Sequence, residues 1–147
     1  MSQSRLILSA GSLLAAILLA VVAAIVVGHS AASADSGALL KLKPETHDFG
    51  QVTATKDSAP LIVTVTNQSS SAVTFSSIVA AETFSIQSDK CSGAPLPPSR
   101  SCKVEVVFHP MVTGKINAPN GLTFTDSAQN SPQQVQLEGQ GTVGSFL

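Results

Sequence analysis

The stretch PLIVTVTNQ, residues 60–68, decides the fold. Leu61, Val63 and Val65 fall on one face of an extended chain, and Ile62, Thr64 and Thr66 on the other. A period of two among β-branched residues marks a strand, not a helix. The run NQSSS at 67–71 then breaks it with turn formers. Further runs of the same kind follow. AVTFSSIVA (72–80) sets Val73, Phe75 and Val79 toward one side around the small Ser77, and TFSIQ (83–87) carries Phe84 and Ile86. In KVEVVFHP (103–110), Val104, Val106 and Phe108 oppose Lys103 and Glu105. GLTFTD (121–126) carries Leu122 and Phe124, and QQVQLEGQG (133–141) carries Val135 and Leu137. With an opening strand over residues 42–49, about seven short strands separated by turn signals predict an all-β antiparallel β-sandwich.

Aromatic usage fits that fold. Phe49, Phe75, Phe84, Phe108 and Phe124 are spread roughly one to a strand, at or next to inward positions. Rings from several strands then meet between two sheets. There is no Trp and no Tyr.

The N-terminus has another character. After Arg5, residues 6–28 form an apolar run of 23 residues without a charge. As a helix it is roughly 35 Å long, enough to cross a bilayer. Ala32, Ser33 and Ala34 supply the small-x-small pattern of a signal peptidase site, with cleavage between Ala34 and Asp35. The length of the run favours an uncleaved anchor; the cleavage pattern favours a removed signal peptide. Both place the rest of the chain outside the cytoplasm: periplasm, cell surface or medium. The organisation read is a signal peptide or anchor helix at 1–34, a linker at 35–40, a domain at 41–141 and a tail at 142–147.

Past Ala34, seven Lys/Arg stand against nine Asp/Glu, since Arg5 is the one basic residue ahead of it. No basic face offers itself to nucleic acid. Cys91 and Cys102 are the only cysteines, and Pro and Gly stud the loop between them. In an exported chain two cysteines with no spare suggest one disulfide. A metal site would need more ligands than two distant histidines add, and redox pairs are usually C-x-x-C.

Four stretches together resemble a known family: PETHDFGQV (44–52), LIVTVTNQSS (61–70), CSGAPLPPSRSCKVEVVFHPMVTG (91–114) and VQLEGQG (135–141). In this order and spacing the chain resembles the ASH/Hydin-type Ig-like domain, especially its exported bacterial relatives called choice-of-anchor D domains. The resemblance implies a seven- or eight-stranded sandwich related to major sperm protein and PapD-like folds, and a non-enzymatic module. The relatives often carry tandem copies and a C-terminal sorting anchor; this sequence shows one copy and no such signal. Read physically, Gly50 permits a turn after Phe49, Pro110 stops a strand, and Gly139 and Gly141 mark where the last strand bends or ends.

Catalysis finds no support in the sequence. There is no G-x-S-x-G, and His47 and Asp48, adjacent on a strand, point to opposite faces. His109, beside Pro110, reads as the cap of a strand end. Asn67-Gln68-Ser69 fits the N-glycosylation pattern and equally a turn. The reading is a non-catalytic scaffold or adhesion unit outside the cytoplasm. Its partner is an unidentified protein, with no cofactor, metal, small molecule or nucleic acid. A PapD-like holding chaperone is the alternative. A carbohydrate-binding module is the third reading, weakened by the missing Trp and Tyr.

Overall fold

The computed structural model describes residues 39–144. The apolar run at 6–28 and the junction of Ala34 and Asp35 lie outside the described residues. Eight strands follow in order: β1 (Leu40–Lys43), β2 (Thr46–Thr53), β3 (Leu61–Asn67), β4 (Phe75–Ala80), β5 (Phe84–Asp89), β6 (Ser101–Phe108), β7 (Gly114–Asp126) and β8 (Gln133–Thr142). They form two four-stranded sheets, β1-β3-β6-β5 and β2-β8-β7-β4. The chain is an all-β, Ig-like sandwich. Every sheet pair is antiparallel but one: β2 runs parallel to β8. A parallel pair needs a long crossover, and here the intervening strands of the domain provide it.

The opening strand expected over residues 42–49 is two strands in different sheets. β1 pairs with β3 and β2 with β8. Pro44 sits between them; it has no N–H for a ladder, so pairing in the first sheet stops there. β1 starts at Leu40, inside the stretch read as linker, because Leu40 is buried. Asn130, from the β7–β8 connection, accepts from the Leu40 N–H at 3.1 Å and donates to its carbonyl at 2.9 Å. A side-chain amide thereby extends the edge of the strand by one bonded residue.

The core is built as the periodicity predicts along β3, β6 and β8. Val63, Val65, Val104, Val106, Phe108, Val135 and Leu137 are buried between the sheets with Leu122 and Phe124. Phe108 is the centre of a ring cluster, 5.2 Å from Phe84 and 5.9 Å from Phe49. Along β4 the expected face is wrong. Val79 is 56% exposed, while Ile78 and Ala80 pack against the core. The cause is a bulge at Ser76: Phe75 pairs with Asp126, but Ser77 pairs with the adjacent Thr125. One extra residue exchanges the faces of everything after it.

The last glycines also serve a purpose other than bending. β8 continues through both to Thr142. A Cβ on Gly139 would lie 2.6 Å from Phe108 Cε1, and one on Gly141 would lie 2.1 Å from the Val112 carbonyl oxygen. They are glycines because a ring and a loop backbone press on the strand. Gly50, at φ 68°, sits in a bulge within β2, where the register slips between Asp48 and Gln51, and not in a turn.

Candidate interaction site

The residues with chemical potential are held apart. The His47 ring packs edge-on against Phe49 at 4.7 Å, while Asp48 Oδ1 accepts from the Gly50 N–H across the bulge at 2.8 Å. His109 Nδ1 meets Asp57 Oδ1 at 2.7 Å on the surface, and the His109 N–H donates to the Thr83 carbonyl, closing the end of β6. Ser58, next to Asp57, donates its hydroxyl to the Ala59 carbonyl and accepts from the Phe108 N–H. Its oxygen is thus engaged with backbone rather than with the histidine. Among the described residues no three His, Cys, Asp or Glu side chains are grouped to hold a metal ion.

Cys91 and Cys102 are joined by a disulfide with their Cα atoms 5.1 Å apart. Asp89, the last residue of β5, organises the loop entrance: its Oδ1 accepts from the N–H groups of Cys91 at 2.7 Å and Ser92 at 3.1 Å. Burial alone would raise the Asp89 pKa, but hydrogen bonds from the Ser92 side chain and from the Cys91 and Ser92 amides outweigh it and leave it lowered. At the loop's far side Leu96 exchanges two backbone hydrogen bonds with Val73. The cysteines are 11 positions apart in the sequence, so the loop closed in the unfolded chain is short. Cys91→Ser with Cys102→Ser is expected to cost about 3 kcal/mol, the loop-entropy figure for a bridge of this length. Urea unfolding of the oxidised protein and the double variant measures it; equal midpoints would show that the bridge contributes nothing.

Asn67 is no glycan acceptor in the folded chain. It is 0% exposed at the end of β3. Its Nδ2 donates to the carbonyls of Ser71 at 2.8 Å and Leu96 at 3.0 Å, and its Oδ1 accepts from the Ser69 N–H and hydroxyl at 3.0 and 2.7 Å. One amide ties the β3–β4 turn to the disulfide loop, so the turn reading of NQS is the structural one.

A second buried polar pair lies at the same end. The Gln133 side chain stands beside the Asp126 carboxyl, but its Nε2 donates to Asn130 Oδ1 at 2.9 Å. Asp126 Oδ2 and Gln133 Oε1 are then both buried acceptors without a donor. Burial raises the Asp126 pKa above its ordinary 3.8 despite the opposing hydrogen bond from the Ala128 N–H to Oδ1 and the nearness of the Gln133 amide. Over the window between 3.8 and the raised value, the folded state holds more protons than the unfolded one. Stability from this residue is therefore fullest at low pH and falls as pH rises through the raised value. Asp126→Asn, whose amide can donate to Gln133, is expected to stabilise the protein at neutral pH and remove that slope. Thermal melts across pH 4–7 check it; parallel profiles for both proteins would refute it. Asp89 acts in the opposite sense, its contribution being lost as pH falls through its lowered value.

The surface with an unfilled structural position is at the sheet switch. β1 covers only Thr64, Val65, Thr66 and Asn67 of β3 before the chain leaves for the other sheet. Among the described residues, the first half of β3, Leu61 to Val63, has no strand neighbour on that side. A groove of about 460 Å³ opens there, walled by His47 and Phe49 of β2 and by Ser58, Pro60, Leu61 and Ile62. Ile62 is 47% exposed. Sequence reasoning missed this groove because it read residues 42–49 as one strand; Pro44 within that run was the available signal.

Comparison with known proteins agrees with this architecture. The sequence model of the HYDIN/CFA65/VesB-like Ig-like domain matches residues 38–140. No curated protein matches the sequence significantly. Among solved structures, the VesB protease of Vibrio cholerae is similar at 18% identity and a TM-score of 0.55, over 69% of this chain and 31% of VesB. The human CEP192 PapD-like domain 7, an ASH domain, is similar at 10% identity and a TM-score of 0.54, over 72% of this chain and 87% of that one. A Porphyromonas gingivalis protein of unknown function matches at 11% identity and a TM-score of 0.55, over 77% of this chain and 51% of that one. At these identities the likeness is one of fold, and the match spans less than a third of VesB, so its protease activity does not transfer. With a sandwich fold in place and residues 38–140 matched by one family model, the chain belongs to the HYDIN/CFA65/VesB-like Ig-like domains.

Proposed function

We propose that the chain is a non-catalytic module that works outside the cytoplasm by holding another protein. The observation that carries this reading is a family-typical sandwich with open strand edges, at β1, β2, β4 and β5. Unpaired edges are where extended partners add. Export is supported by the apolar N-terminal run, the cleavage pattern ending at Ala34 and the Cys91–Cys102 disulfide, a bond that persists in oxidising compartments. Crosslinking in the native host followed by pull-down should return a defined protein partner. Turnover in a hydrolase screen that disappears on replacing His47 or His109 would overturn the reading in favour of an enzyme. The intact mass of the exported protein should begin at Asp35; a full-length mass retained in membranes replaces cleavage with anchoring. A holding-chaperone role, suggested by the PapD-like relative, requires protection of a refolding client, which a passive module does not give.

A further inference from the structure

We propose that the gap beside the first half of β3 is a seat for one extended segment of a partner protein, with the local pattern apolar–Lys/Arg–apolar. The inference rests on the interaction-module reading and names its site.

The direction of the backbone groups follows from the register. The Asn67 N–H donates to the Arg100 carbonyl, and the Ser99 N–H donates to the Asn67 carbonyl, so both polar groups of Asn67 face β6. The Gln68 N–H points the other way, to the Leu39 carbonyl. Backbone groups alternate sides along a strand. Val65, Val63 and Leu61 therefore face β6, and Thr66, Thr64 and Ile62 face the β1 side. Thr66 and Thr64 meet Lys41 and Lys43 of β1 there. Ile62, next in the series, meets no strand residue on that side among the described residues. Its N–H and carbonyl define one vacant antiparallel pairing position, in line with β1.

The side chains state what belongs there. A residue paired with Ile62 points to the outer face, alongside Ile62. Across Ile62 on β6 stands Glu105, half-buried and without an ion-pair partner within 4.0 Å among the described residues. A Lys or Arg at the central position can lay its aliphatic stem over Ile62 and bring its charge to Glu105. The residues on either side of it turn inward, toward Leu61 and Val63 and the half-buried Phe49 wall, where apolar side chains fit. Backbone pairing supplies the attachment, and the alternating side chains supply the selection.

The test uses the full 147-residue chain and a phage-displayed library of randomised 12-residue peptides, with each selected peptide then carrying a photocrosslinker. Selection should enrich apolar–Lys/Arg–apolar triplets that crosslink at residues 47–49 or 60–63. Ile62→Pro deletes the N–H that faces the gap and leaves the β6 ladder intact, so the strand should persist while binding falls at least tenfold. Glu105→Lys should shift selection to an acidic central residue without loss of fold. No enrichment, binding unchanged in Ile62→Pro, or crosslinks elsewhere overturns the proposal. Crosslinks at another edge would end this assignment and leave the interaction-module reading standing. A dimer of the chain that Ile62→Pro dissolves would overturn the proposal by replacing the foreign segment with a second copy.

Discussion

Phe108→Ala will lower the unfolding free energy by about 3–5 kcal/mol, the range for deleting a buried phenylalanine. Phe108 has no exposed surface, stacks with Phe49 and Phe84, and lies against the strand face left bare by Gly139. Rings from both sheets lose their common neighbour, and a rigid sandwich collapses poorly onto the void. Because a domain of this size has a total stability of about 5–15 kcal/mol, the variant stands near the limit of folding. Gly139→Ala tests the same contact from the other side, since the added methyl overlaps the ring edge. It should cost about 1–3 kcal/mol in the native background and much less when Phe108 is Leu, which withdraws the atoms in conflict. A double-mutant cycle in urea measures this coupling. Additive losses would show that the ring and Gly139 do not constrain each other.

Asn67→Ala is expected to cost about 3 kcal/mol, because a buried donor or acceptor left without a partner costs about 1–3 kcal/mol. The substitution removes four hydrogen bonds at once. The loss is moderated because the Leu96 carbonyl keeps the Val73 N–H, and the Ser69 hydroxyl, released from Asn67, can turn its proton to the Ser71 carbonyl. Asn67→Asp should be worse, since a carboxylate then faces both carbonyls with no proton to give. A fall in urea midpoint at unchanged slope identifies the effect as loss of native-state stability. A loss below about 1 kcal/mol would mean that the turn and the disulfide loop hold together without this amide.

The contrast between these sites shows what the sequence discloses. Where alternation runs unbroken, in β3, β6 and β8, the inward residues can be read off directly. In β4 one bulge residue, Ser76, inverts the pattern, and nothing in a string of small and β-branched residues announces a register shift set by Asp126 and Thr125 across the sheet. Pro44 did announce a break, but a break within a strand and a transfer between sheets look identical until both sheets are seen. Asn67 reads as a surface sequon because its composition is polar. Its burial depends on Leu96, 29 residues away, bringing a carbonyl to it. The Cys91–Cys102 pairing was legible because counting settles a two-cysteine chain. The β3 groove was not, since it is the space left where β1 stops short.

The one parallel ladder has a mechanical meaning. Strands β2 and β8 both run from the end of the sandwich where Leu40 enters to the end where Thr142 leaves, paired from Thr46 with Gln136 to Thr53 with Thr142. A pull on the chain from its two sides drags these strands in opposite senses along their own length. The cross-links between them then share the load together instead of opening one after another like a zip. Tension carried along β2 and β8 therefore loads this seam in shear, with its paired residues from Thr46 to Thr53 strained at once.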